Sequence, residues 1–156
     1  MTNSWGLSEE ERAYRADTDL LSNQIIGAAI EVHRHLGPGL MESTYHKCMR
    51  RELGLRSVSY RTEVTIPIVY KGEPIEDGYR IDLLVENAVI VELKCVASIL
   101  PVHEAQLLTY LRLTGLWLGL LINFNTPILA KGILRLVNGR VGQPQVSSDC
   151  VASPLP

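Results

Sequence analysis

The chain has 156 residues, of which 46% are hydrophobic and 21% charged, and its formal net charge is −2. That length suits one domain with a single core, and the composition excludes a disordered chain. The near-neutral charge excludes a molecule that binds nucleic acid with its whole surface, so any such binding has to come from a local patch. Cys48, Cys95 and Cys150 are scattered, odd in number and without a C-x-x-C, which suggests neither a zinc site nor a disulfide framework. Residues 1–17 are polar and charged, unlike a signal sequence, and the apolar stretch from Leu116 to Ile122 is too short to span a bilayer. A soluble, cytoplasmic protein with no membrane partner is the expectation.

Residues 1–17 and 139–156 read as flexible tails, the second rich in Gly, Pro and Ser, and residues 18–138 as the ordered domain. Thr18 or Asp19 can cap a first helix whose stripe is Leu21, Ile25, Ala28, Ala29, Val32 and Leu36, ended by Gly37 and Pro38. The Gly37-Pro38-Gly39 turn leads to a second helix from about Met41 to Gly54, with Tyr45, Cys48, Met49 and Leu53 inward. Alternation at Val64, Ile66 and Ile68 predicts one strand over Val58 to Tyr70, followed by a turn at Lys71-Gly72-Glu73-Pro74. Gly78 to Glu86 and Val89 to Val96 read as two further strands, the latter almost wholly apolar, as a central strand is. His103 to Thr114 is a helix between Pro101 and Gly115, Leu116 to Phe124 another apolar strand with Trp117 in the core, and Ile133 to Val137 the last. The order α-α-β-β-β-α-β-β makes an α/β protein, a mixed sheet flanked by helices.

Glu92 and Lys94 put two charges inside the apolar run Val91-Glu92-Leu93-Lys94-Cys95. Residues two apart in a strand share a face, about 6.6 Å apart along it. Buried charges are costly without partners. A structural ion pair between them is one account; a working site is the better one, because Asp82 can be placed beside Glu92. If the second and third strands form a hairpin, Asp82 faces Glu92 when paired residue numbers sum to 174. That register needs a loop with an odd number of residues. Glu86-Asn87-Ala88 supplies three, and Asn87 tolerates the left-handed backbone. Two adjacent carboxylates repel unless a cation lies between them, and oxygen ligands suit Mg²⁺ or Mn²⁺. The Leu93 carbonyl is a candidate further ligand, and Lys94 can steady an attacking water or the charge at phosphorus.

The pattern Asp82…Glu92-Leu93-Lys94 resembles the core of the PD-(D/E)XK nuclease superfamily. Gly39-Leu40-Met41-Glu42-Ser43-Thr44-Tyr45 is similar to the motif that names its small prokaryotic GxxExxY family, and the resemblance runs from about Ser22 to Val137. Ile81 stands where the superfamily pattern has its proline. The resemblance implies a restriction-endonuclease-like fold and a divalent-metal-dependent nuclease acting on DNA in preference to RNA. It further implies that Asp82, Glu92 and Glu42 lie at the metal and that Lys94 is the catalytic lysine. Gln106 and Tyr110 resemble the Q-x-x-x-Y motif of RecB-like members, and their spacing of four puts both on one helix face. Small enzymes of the superfamily often pair, so a homodimer is expected. Some have lost catalysis, and the alternative is a catalytically silent module that binds nucleic acid or protein.

Lys47, Arg50, Arg51, Arg56 and Arg61 lie within fifteen positions with Glu52 as the one acid among them. They read either as a solvated helix face or as a surface that meets phosphates. His33, His35, His46 and His103 show no metal-ligand spacing and are set aside as ligands.

Overall fold

A computed structural model describes residues 6–76 and 79–139 of the chain. The first helix, α1, spans Glu9–Leu36, ten residues more at its start than a cap at Thr18 would give. A reciprocal cap explains the extension. The Glu11 amide donates to Ser8 Oγ at 3.1 Å, and the Ser8 amide donates to Glu11 Oε2 at 2.7 Å. Glu9, Glu10 and Glu11 in the first turn add favourable charge at the positive end of the helix. Thr18 caps nothing: it is buried inside the helix, its hydroxyl donating to the Tyr14 carbonyl. Residues 9–17 are therefore helix rather than tail. The extension docks on the sheet, where the Arg15 and Arg135 guanidiniums lie 5.2 and 5.5 Å from the Trp117 ring centre. Trp117, expected in the core, is thus half-buried between two cations. The proposed tail at 139–156 lies, from residue 140 on, outside the described residues.

Helix α2 is Glu42–Leu55. Tyr45, fully buried, fixes the turn before it: its hydroxyl donates to the Gly37 carbonyl and accepts the Leu40 amide at 3.3 Å. Its ring stacks on Phe124, 4.5 Å between centroids and 13° from parallel. Tyr45 thus ties the turn that opens α2, and the Glu42 that begins it, to the sheet.

The strand expected over Val58 to Tyr70 is two strands, β1 Tyr60–Thr65 and β2 Ile68–Tyr70. The Ile66 amide still follows the β1–β4 register, donating to the Tyr79 carbonyl at 2.8 Å, but Pro67 has no N–H to carry the ladder on. β2 pairs instead with β3, Glu73–Ile75, in a separate two-stranded ribbon. Its turn is shorter than expected, only Lys71 and Gly72, both with positive φ. The main sheet has the order β1-β4-β5-β6-β7, with β4 Arg80–Val85, β5 Val89–Lys94, β6 Leu118–Asn123 and β7 Ile133–Val137. Only β5 and β6 pair in parallel, and α3, Pro101–Thr114, connects them. This five-strand mixed sheet flanked by helices is the expected fold class, with the ribbon added.

Both faces of the sheet are covered, which is why β5 and β6 are apolar throughout. Val89, Val91 and Leu93 pack against Ile25, Ala29, Tyr45 and Met49 of α1 and α2. Ile90 and Leu121 pack against Leu107 and Leu111 of α3. Gly119 sets the closeness of that second layer: a Cβ there would lie 2.8 Å from Leu107 Cδ1. By alternation Glu92 shares the α3 face with Ile90; along β4 alternation holds for Leu83, Leu84 and Val85 and breaks at Asp82, since Ile81 packs on the α3 face as Leu84 does.

Candidate metal centre

The β4–β5 hairpin has the register the sequence required. Leu83 pairs with Val91, Leu84 with Ile90 and Val85 with Val89. Glu86 and Asn87 both take positive φ in its loop, closed by the Ala88 amide on the Val85 carbonyl at 2.9 Å. Beyond Leu83 and Val91 side chains replace the backbone ladder. The Asp82 amide donates to Glu92 Oε1 at 3.1 Å, and the Leu93 amide donates to Asp82 Oδ2 at 3.0 Å. These crossed bonds hold the two acids side by side at the end of the hairpin. What Leu93 offers Asp82 is its N–H.

Two helices close on this point. From α2, His46 Nε2 lies 3.5 Å from Asp82 Oδ2 and 3.9 Å from Glu42 Oε1. Glu42 and His46 are four residues apart on one helix face, and Arg50 is the next residue of the same stripe. Glu42, His46 and Asp82 each present a ligand atom, all within 4.8 Å of one another. The charge of Glu42 also reaches the end of β5, where burial and then Glu42 push the Cys95 thiol above its usual range. From α3, Gln106 Nε2 donates to the Tyr110 hydroxyl at 2.8 Å. Burial raises the Tyr110 phenol, and the charges of Glu92 and Asp82 raise it further.

The electrostatics divide the acids. Burial pushes Glu92 up, the Asp82 charge adds to it, and its carboxyl sits at about 8. Burial acts on Asp82 in the same direction, but the His46 imidazole and the Leu93 amide outweigh it and hold its carboxyl below the usual range. Without a cation the pair thus keeps one charge at neutral pH. Lys94 favours the ionised form of Glu92 through its charge. It forms no ion pair with Glu92 among the described residues, so the structural salt bridge offered by the sequence is not there.

The sequence reading anticipated Glu42, Asp82, Glu92 and Lys94 at one place, and Gln106 with Tyr110 beside them. It missed His46, because a test on histidine spacing along the chain looks for ligands from one element, whereas here they come from a helix and a strand. A signal was available: His46 falls four residues after Glu42. The basic residues divide. Lys47 and Arg51 are exposed and Arg50 half-buried on α2, whereas Arg56 is engaged with Glu52 at 2.8 Å and with the Gly27 carbonyl at 3.4 Å. Arg61 is half-buried on β1.

Two carboxylates and an imidazole converging from two elements, next to a third carboxylate held near neutrality, fit a divalent cation. The fold is thus a mixed sheet between helices, with acids at a strand end beside a lysine two residues on. The model of the PD-(D/E)XK nuclease superfamily matches residues 19–136, and the chain belongs to that superfamily. Nucleic-acid binding and a divalent metal are usual in it. Among solved structures, one titled "Crystal structure of SSO0001" aligns over 85% of this chain and 82% of its own, at 20% identity and a TM-score of 0.36. A score that low does not establish a shared fold. No curated protein matches the chain. Among the described residues no helix is long and apolar enough to cross a membrane.

Proposed function

We propose that the protein is a divalent-metal-dependent nuclease of the GxxExxY branch that hydrolyses phosphodiester bonds of DNA in preference to RNA. The observation that supports this best is the position of Asp82. Its carboxylate meets Glu42 and His46 of α2 on one side and the Leu93 amide of β5 on the other, with Glu92 bonded to its own amide.

Glu42, His46 and Asp82 would hold the ion, and Glu92 would join them, with the Leu93 carbonyl as a further candidate. When bound, the ion supplies Lewis-acid polarisation and a lowered water pKa. Two oxygens and one imidazole nitrogen suit Mn²⁺ at least as well as Mg²⁺. Glu92 loses its proton once a positive charge offsets Asp82. Lys94, two residues on and on the same face, steadies negative charge developing at phosphorus. Tyr110, oriented by Gln106 and within reach of the charges of the two acids, would donate to a phosphate oxygen. Arg50, Lys47 and Arg51 continue the α2 face and meet flanking phosphates, with Arg56 and Arg61 beyond them.

Labelled single-stranded and duplex DNA and RNA, incubated with Mn²⁺, Mg²⁺ or a chelator, test the reading. Metal-dependent cleavage that disappears in Asp82→Ala is the expected result. Cleavage unchanged in that variant, or none with any metal and substrate, would overturn it and favour a catalytically silent binding module.

A further inference from the structure

A cleft of about 450 Å³ opens between the ribbon side of the sheet and the outer face of α3. Ile68 and Tyr79 line it from the strands, and Val102, His103, Gln106 and Tyr110 from the helix. Tyr110 lines the cleft and feels the charges of Glu92 and Asp82, and Gln106 beside it donates to its hydroxyl, so whatever fills the cleft lies near the metal centre. Its size is within the range of small-ligand sites, roughly 300–1,000 Å³.

The chemistry of the lining identifies the occupant. Among the described residues, none that lines the cleft is Lys, Arg, Asp or Glu. These residues offer a phosphate no cation, so they suit the backbone of a strand less well than a base. The lining is aliphatic and aromatic with a few neutral polar groups, which suits a flat, uncharged heterocycle. Tyr79 is 45% exposed and gives that ring a surface to stack on. His103 has a fixed tautomer: its Nδ1 accepts the Leu100 amide at 3.0 Å, which leaves the proton on Nε2 for the edge of a base. Bases within a duplex have both faces covered by their neighbours and cannot enter.

We infer that the cleft holds one unpaired nucleobase of a single strand, beside the phosphodiester bond that the metal centre attacks; this rests on the nuclease reading above. The preferred substrate is therefore a single-stranded end, tail or loop, and base stacking in the cleft supplies affinity that the small positive patch on α2 does not.

The experiment measures binding without turnover. Fluorescence anisotropy in chelator follows a labelled oligothymidylate of about fifteen nucleotides, its uridylate counterpart, and a blunt duplex of the same length, against the full chain. The single strands should bind roughly tenfold tighter than the duplex, and Tyr79→Ala and Ala105→Leu should each weaken them by roughly tenfold, the scale of one stacked base. Tyr79→Ala removes the platform. Ala105→Leu fills the cleft from an exposed helical position that accepts leucine. Because the two changes sit on different elements, failure of one to fold leaves the other decisive, with thermal melting as the check. A loss on either the DNA or the RNA strand supports the inference. Duplex bound as tightly as single strands, or both folded variants binding like the parent, would overturn it. Cleavage of the same oligonucleotides in Mn²⁺ is read separately. No cleavage with the binding pattern intact would sink the nuclease reading and leave the base site standing, whereas cleavage with no effect of either variant on binding would sink the base site alone.

Discussion

The His46 imidazole stands 3.5 Å from the Asp82 carboxylate, joining the second helix to the second strand of the main sheet. That contact makes the metal set mixed in donor type. Isothermal titration should show Mn²⁺ binding to the parent protein, abolished in Asp82→Ala. His46→Ala should weaken Mn²⁺ by about tenfold or more and Mg²⁺ by less, because nitrogen donors favour the transition metal. Equal losses for both ions would place His46 outside the coordination sphere.

The raised Glu92 gives a pH dependence with a definite sign. Its carboxyl ionises near 4.5 in the unfolded chain and at about 8 in the fold. Between those values the folded state holds the extra proton, so stability is fully present below 4.5 and falls as pH rises through about 8. In metal-free protein Glu92→Gln should therefore raise the melting temperature at pH 9 by a few degrees, a difference that closes by about pH 5. A constant gap across that range would mean that the buried charge is not the cause. Asp82 has the opposite sense: its depressed carboxyl stabilises the fold above its ordinary value, and that support is lost as pH falls through the folded one.

Below about pH 8 metal binding should release the Glu92 proton. Titrations in buffers of different ionisation enthalpy should give a proton count near one at pH 7 and near zero at pH 9. A count near zero at both would show that Glu92 is already ionised without metal.

Tyr45→Phe keeps the stack on Phe124 and removes the hydroxyl that serves both Gly37 and Leu40. Leaving a carbonyl and an amide without that partner should cost about 1–3 kcal/mol in urea unfolding. Metal affinity should fall as well, since the hydroxyl fixes the turn that positions Glu42. Loss of stability with metal affinity unchanged would show that α2 keeps its place without the hydroxyl.

Gly119→Ala tests how closely α3 must approach. Its methyl would meet Leu107 at 2.8 Å, so the helix must shift or Leu107 must change rotamer. A cost of about 1–3 kcal/mol is expected. Gln106 flanks Leu107 on the helix, so cleavage should drop more than stability alone accounts for. Full cleavage by the folded variant would free Gln106 and Tyr110 from any close positional demand.

Much of this protein is legible along the chain. The odd three-residue loop Glu86-Asn87-Ala88 decides the hairpin register, and that register carries Asp82 to the level of Glu92, where the crossed side-chain bonds join them. The apolar runs of β5 and β6 announce burial on both sides. The capping box at Ser8 and Glu11 is equally local, but the apolar stripe begins only at Leu21, so the polar first turns of α1 carry no periodic signal. Pro67 likewise marks the break between β1 and β2, although alternation continues across it.

What only the tertiary structure decided is which helix faces which strand end. Alternation and helical spacing relate residues within one element, and they carry no information on the approach of α2 to β4. His46 joins the site because Tyr45 stacks on Phe124 and holds α2 against the sheet, a contact spanning about half of the chain. The register of two strands is settled by a loop of three residues; the meeting of helix and strand is settled by the packing of the whole core.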